Sequence, residues 1–255
     1  MQRLKNIIRN RTVAILAHGS SIEQFETYIE DLKDKDVCYA SLNFFPIMEE
    51  FILSKIGKKL DIVFDCSTVA KHRQEEFDLV RMKRLESFMQ RQDNNLWITS
   101  HGIVRDNLLP TPWNSMYQNN KSKILEVDTL FPSRRISEFM SVPGSITLLI
   151  ASCIAGQAKK IIMFGFDGCN NLNLQEGLNT YYKPQLQKEE RLRALGSIED
   201  IGVTNDTYNF QMQFPSILNK YKSLFNNDCP IENCSKQSFY SIFNKISYQD
   251  LKQAI

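Results

Sequence analysis

The chain has 255 residues, 42% apolar and 24% charged, a balance that excludes a disordered tail and can bury the core of one large α/β domain, with or without a small C-terminal annex. Its formal net charge is +2 and the 31 basic residues are scattered, which gives a nucleic-acid role no support. The six cysteines form no Cys-x-x-Cys pair and no apolar run reaches about 18 residues, so a zinc or redox centre and a transmembrane helix drop out.

In chain order, Met1 to Arg11 is too basic for a signal peptide and reads as a short basic helix. It is solvated in the first reading and touches an anionic membrane surface in the lesser one. With reduced thiols, the expected compartment is the cytoplasm. Thr12-Val-Ala-Ile-Leu-Ala17 is an apolar run of strand length, as expected of a strand buried on both faces in a parallel sheet. After His18-Gly19-Ser20-Ser21, apolar residues at Ile22, Phe25, Ile29 and Leu32 predict a helix. The pattern repeats with a strand over Asp36 to Leu42, a helix from about Ile47 to Ile56, a strand over Leu60 to Phe64, a helix over Glu75 to Met89 and a strand over Leu96 to Thr99.

Residues 103–120, with Pro110 and Pro112, read as a long loop, and Lys123 to Val127 as a further strand. From Ser145 to Ala155 the chain is almost wholly apolar, a buried helix stopped by Gly156, and Lys159 to Phe164 returns to the sheet. Residues 169–202 are polar and loop-rich, like a lid. Helices are expected near Asn209 to Leu224 and around Phe239 to Ala254, with a short strand at Pro230 to Glu232 between them. The fold class expected is α/β: a Rossmann-like, mostly parallel sheet with helices on both faces and a polar lid-like insertion. Residues 1–168 form the nucleotide-binding core, 169–205 the insertion, and 206–255 the C-terminal helices that complete the same domain.

In an open parallel sheet, ligands bind outside the carboxyl ends of the strands, so the residues standing there carry the functional reading. They are small or polar: His18, Gly19, Ser20 and Ser21, then Asn43, then Asp65, then Ser100-His101-Gly102, then Gly165-Phe166-Asp167-Gly168. Gly19 lets the backbone approach a ligand, and the helix start behind it offers N–H groups and a positive dipole end to a phosphate. Gly144 and Ser145 open the apolar helix in the same manner. The glycine loop is neither a Walker A nor a Gly-x-Gly-x-x-Gly motif, and an ordinary helix cap explains it equally well. Asp167 suits a ribose hydroxyl, a base or a metal, with a turn-forming Asp as the alternative. His18 and His101 at strand ends suit a general base or a phosphate partner. No nucleophile elbow and no His-Glu-x-x-His occurs, which removes hydrolase and zinc-protease readings.

The string Ala14-Ile-Leu-Ala-His-Gly-Ser-Ser-Ile22 resembles the Gly-Pro-Ser-Leu nucleotide loop of the 6-hydroxymethylpterin diphosphokinase-like family, its motility accessory relatives and the bacterial sialyltransferases of Campylobacter type. Ser41-Leu-Asn-Phe-Phe45 is similar to their Asn-containing strand end. The stretch Gly144 to Gly168 is similar to their Gly/Ser helix, strand and Gly-x-Asp turn, with a weaker echo over Ile231 to Ser238. The resemblance covers less than half of the chain. It implies a nucleotide-dependent transferase: a glycosyltransferase using a CMP-activated sugar in surface glycan or polysaccharide assembly, or alternatively a diphosphokinase using ATP, with Mg bridging the phosphates.

Two departures stand out: Ser20 occupies the family's proline position, and Val203 stands in Ile201-Gly-Val-Thr-Asn-Asp-Thr207 where the sialyltransferases carry their catalytic-base histidine. The base is therefore sought among Asp206, His101 and Asp65. A nucleotide- or sugar-binding module that has lost catalysis is the third reading. Under the first two, His18, Gly19, Ser20, Ser21, Asn43, Gly144, Ser145, Gly165 and Asp167 hold the nucleotide, and the partners are a nucleotide-activated donor and an acceptor.

Overall fold

The computed structural model describes residues 1–19, 21–32, 35–43, 45–48, 52, 54, 57, 59–65, 76–91, 95–99, 113–126, 145–168, 203–235, 238 and 240–255. Its centre is one eight-stranded sheet: β1 (Thr12–Leu16), β2 (Val37–Leu42), β3 (Ile62–Asp65), β4 (Leu96–Thr99), β5 (Ile124–Glu126), β6 (Lys160–Phe164), β7 (Ile231–Asn233) and β8 (Asn244–Lys245), in the order β5-β4-β3-β2-β1-β6-β7-β8. Every pairing is parallel, with Thr12 opposite Val37 on one side and opposite Lys160 on the other. The chain runs outward from β1 to β5, then crosses back to place β6 against the free side of β1. That reversal makes the β1/β6 seam the topological switch point, beneath which a Rossmann-like sheet offers its crevice.

The alternation of β1 explains why it reads as unbroken apolar sequence. Val13 and Ile15 enter one core, with helices α1 (Gln2–Ile8), α6 (Ser145–Ala155) and α7 (Val203–Phe225), while Ala14 and Leu16 enter the other, with α2 (Ile22–Tyr28), α3 (Phe45–Met48), α4 (Glu76–Arg91), α5 (Trp113–Asn119) and α8 (Leu251–Ala254). A central strand with helices over both faces needs apolar residues at every position. Helix α6 is buried from Ile146 to Ala155, as its composition predicts, because it is covered by the sheet on one side and by α7 on the other.

Four expectations change. Residues 103–120, read as a loop, contain α5, and a helix of only seven residues is too short to show a helical period clearly. The predicted helix over Ile22 to Leu32 tightens into a 3-10 turn from Ile29. Tyr240 and Phe243, spaced like helix neighbours, instead pack from an irregular segment around Phe166, Phe210 and Phe214, and β8 follows them. Gly156 does not provide the left-handed residue that ends α6; Gln157 does, with φ 68°. Gly156 is needed because a Cβ there would lie 2.2 Å from Ile8 Cδ1 and 3.0 Å from Leu4 Cγ. The apolar side of α1, Leu4 and Ile8, is thus fully inside the core, and Arg3 and Arg9 are left outward. No helix among the described residues is long and apolar enough to cross a membrane.

Candidate functional site at the carboxyl edge

Because all strands are parallel, their carboxyl ends open on one edge, and the described residues among the sequence-predicted polar ones stand there in three places of different character. The first lies on the switch point. Ala17 N–H donates to the Phe164 carbonyl at 2.8 Å and Gly19 N–H to the Gly165 carbonyl at 2.7 Å, so the pairing of β1 with β6 continues past both strands. A Cβ on Gly19 would fall 2.4 Å from the Gly165 carbonyl oxygen and 2.5 Å from Asp167 Oδ2. Gly165 has φ 68°, and a Cβ on it would fall 2.4 Å from the Ala17 carbonyl oxygen. The two glycines let two backbones touch, which is a packing requirement independent of any ligand.

Asp167 closes this seam. Its Oδ2 accepts the Ser21 N–H at 2.8 Å, and its Oδ1 accepts the Ser21 hydroxyl at 2.5 Å and the Ser235 hydroxyl as well. The residue is 5% exposed. The Ser21 carbonyl in turn accepts the Tyr248 hydroxyl at 3.2 Å, and burial, with the Cys234 thiol and the Asp167 carboxylate adding to it, pushes that phenol far above its ordinary range. Neighbouring Asn233 donates to the Phe166 carbonyl at 2.8 Å and to Ser238 Oγ at 2.9 Å. Ser235 and Tyr248 were not anticipated as site residues; the only sequence signal was that Ser235 falls in the 231–238 stretch.

The second group is more open. Asn43, at φ 48° just past β2, donates its N–H to the Phe64 carbonyl at 2.6 Å and its Nδ2 to Ser145 Oγ at 3.1 Å. Asn is the non-glycine residue that tolerates this left-handed conformation best. Ser145 is the first residue of α6, so the bond ties the end of β2 to a helix N-terminus, whose free N–H groups and dipole favour an anion. His18 follows the neighbouring strand β1, with its ring 5.4 Å from that of Phe45 at an interplanar angle of 47°. His18, Asn43 and Ser145 are all half-buried, whereas Gly19, Ser21 and Asp167 are buried.

Asp65 ends β3 at 0% exposure, and its Oδ2 accepts the Tyr117 hydroxyl at 2.6 Å. Thr99, opposite Asp65 in the parallel register, is buried too. Tyr117 comes from α5 and was hidden within the apparent loop. Ser20, His101 and Gly144 lie outside the described residues; Asp206 falls in the first turns of α7, and its side chain also lies outside them. Among the described residues, no group of three or more His, Cys, Asp or Glu could hold a metal ion.

No protein-family model and no curated protein matches the sequence. Among solved structures, the chain is similar to the sialyltransferase CstII from Campylobacter jejuni, in complex with the substrate analogue CMP-3FNeuAc. The likeness covers 93% of this chain and 85% of that one, with a TM-score of 0.50 and 14% identity. It establishes a shared α/β, Rossmann-like fold.

Proposed function

We propose that the chain is a nucleotide-dependent transferase, a glycosyltransferase that takes a CMP-activated sugar, with the nucleotide phosphate seated between His18, Asn43 and the N-terminus of α6. The carrying observation is the half-buried Asn43–Ser145 bond, which sets a helix N-terminus and two polar side chains on the carboxyl edge beside the switch point. The likeness to a fold seen with a CMP-sugar analogue supports the choice of nucleotide. Surface glycan or polysaccharide assembly is the process this reading implies.

In such a transfer an acceptor hydroxyl attacks the anomeric carbon while the bond to the nucleotide phosphate breaks, its proton passes to a base, and charge grows on the leaving phosphate. A preoriented helix N-terminus stabilises that charge without reorganising. Asp65 is fully buried against Tyr117, so the base falls to His101 or Asp206.

Thermal unfolding tests the reading. CMP at about a hundred times its Kd stabilises by about 2.7 kcal/mol, an upward Tm shift of roughly 5–10 °C for a chain of this size, and Asn43→Ala should remove it. No shift with millimolar CMP refutes the proposal, and a shift with ATP and magnesium instead points to diphosphoryl transfer. CMP binding without turnover of any CMP-sugar leaves a binding module.

A further inference from the structure

The polar residues of the carboxyl edge do not share one task. Asp167 resembles a ligand-binding carboxylate by its place in a Gly-x-Asp turn at a strand end, yet it is 5% exposed and both its oxygens are engaged. Three of its donors among the described residues come from two distant parts of the chain: the N–H and hydroxyl of Ser21, at the start of α2, and the hydroxyl of Ser235, just past β7. Gly19 leaves no room for a side chain between the loop and this carboxylate. Tyr248 holds the opposite side of the Ser21 peptide through its carbonyl, and its ring stacks on Tyr28 of α2 at 5.2 Å. The backbone at Gly19 and at Ser21 is thus held from the ends of β6 and β7 and from the turn that carries Tyr248.

Resting on the transferase reading, we infer that Asp167 is a positioning residue: with Ser235 and Tyr248 it holds the loop between β1 and α2 in its nucleotide-accepting shape, and does not touch the nucleotide. A buried carboxylate that accepts a backbone N–H and two hydroxyls is a fixed node, and a direct ligand contact would require breaking at least one of these bonds. Selectivity for the ligand then lies with the half-buried group His18, Asn43 and Ser145.

The test uses the full chain with Asp167→Asn, Ser21→Ala, Ser235→Ala and the double variant Ser21→Ala/Asp167→Asn. CMP affinity is measured by calorimetry, the urea midpoint is measured in parallel, and hydrogen exchange is followed over residues 17–25. Each single variant is expected to weaken CMP binding about tenfold and to speed exchange of the loop. The double variant should bind within about threefold of the weaker single, because both act through one contact.

A direct role for Asp167 gives the opposite pattern: Ser21→Ala and Ser235→Ala keep wild-type affinity and only Asp167→Asn loses it. A merely structural role lowers the midpoint of the variants while CMP affinity stays at the wild-type value; either result overturns the inference. If the wild-type chain binds no CMP, the transferase reading fails by itself and loop exchange judges the clamp. Faster exchange over 17–25 in Ser21→Ala and Ser235→Ala then sustains it, and unchanged exchange rejects it. Should Asp167→Asn not fold, these two serine variants decide alone.

Discussion

Gly156→Ala is the sharpest test of how the chain's first helix is held. The added methyl would lie 2.2 Å from Ile8 Cδ1, 2.6 Å from Ile8 Cγ1 and 3.0 Å from Leu4 Cγ, where carbon atoms normally keep about 3.5–4.0 Å apart. Two side chains of one helix are struck together, so rotating either alone does not clear the contact. If the core absorbs the methyl by small shifts, overpacking costs about 1–3 kcal/mol. If α1 is expelled, the burial of Leu4 and Ile8 is lost, about 1.5–3 kcal/mol for each and hence about 3–6 kcal/mol together. A seven-residue helix has no stability of its own once detached. Urea unfolding gives the cost, and trypsin nicking at Arg3, Lys5 and Arg9 reports whether α1 has left. A midpoint and a nicking rate both equal to wild type would refute the packing account of Gly156.

Three other outcomes are expected. Gly165→Ala places a Cβ at φ 68° and 2.4 Å from the Ala17 carbonyl oxygen, so backbone must move, and a loss of at least about 2 kcal/mol should appear in urea titration. Tyr117→Phe removes the hydroxyl donated to the buried Asp65 carboxylate and should cost about 1.5–3 kcal/mol; an unchanged midpoint would mean that bond contributes nothing. Burial pushes the Cys229 thiol up to about 11 and that of Cys234 up to about 12, from an ordinary 9.0. Unfolded thiols therefore ionise first on the alkaline side, and their contribution is complete below about pH 9 and is lost as pH climbs toward 11–12. Urea midpoints that stay level from pH 8.5 to about 11 would count against it.

The strands were legible because a doubly covered parallel sheet demands unbroken apolar runs, and Thr12 to Ala17 and Lys159 to Phe164 can hardly be anything else. The elements that escaped were short or irregular, as with α5 and the Tyr240–Phe243 segment, whose partners are remote in sequence. The site was half legible. Small and polar residues do stand at the strand ends, but composition does not distinguish a residue left half-buried, like Asn43, from one fully enclosed, like Asp167. The glycines were equally ambiguous, since Gly19 and Gly165 serve the contact between two backbones.

Strand β1 is made well before β6 and stays bare along one side until β6 appears, and the Ser21 turn waits for Tyr248, more than two hundred residues further on. Assembly from the ribosome is therefore out of step with the order of the sheet: the outward half β1 to β5 can form during synthesis, while the seam that shapes the crevice is sealed only once β6 and then Tyr248 have emerged. Until then the uncovered side of β1 is a free edge in the middle of the future sheet, and the nascent protein is most exposed to mispairing there.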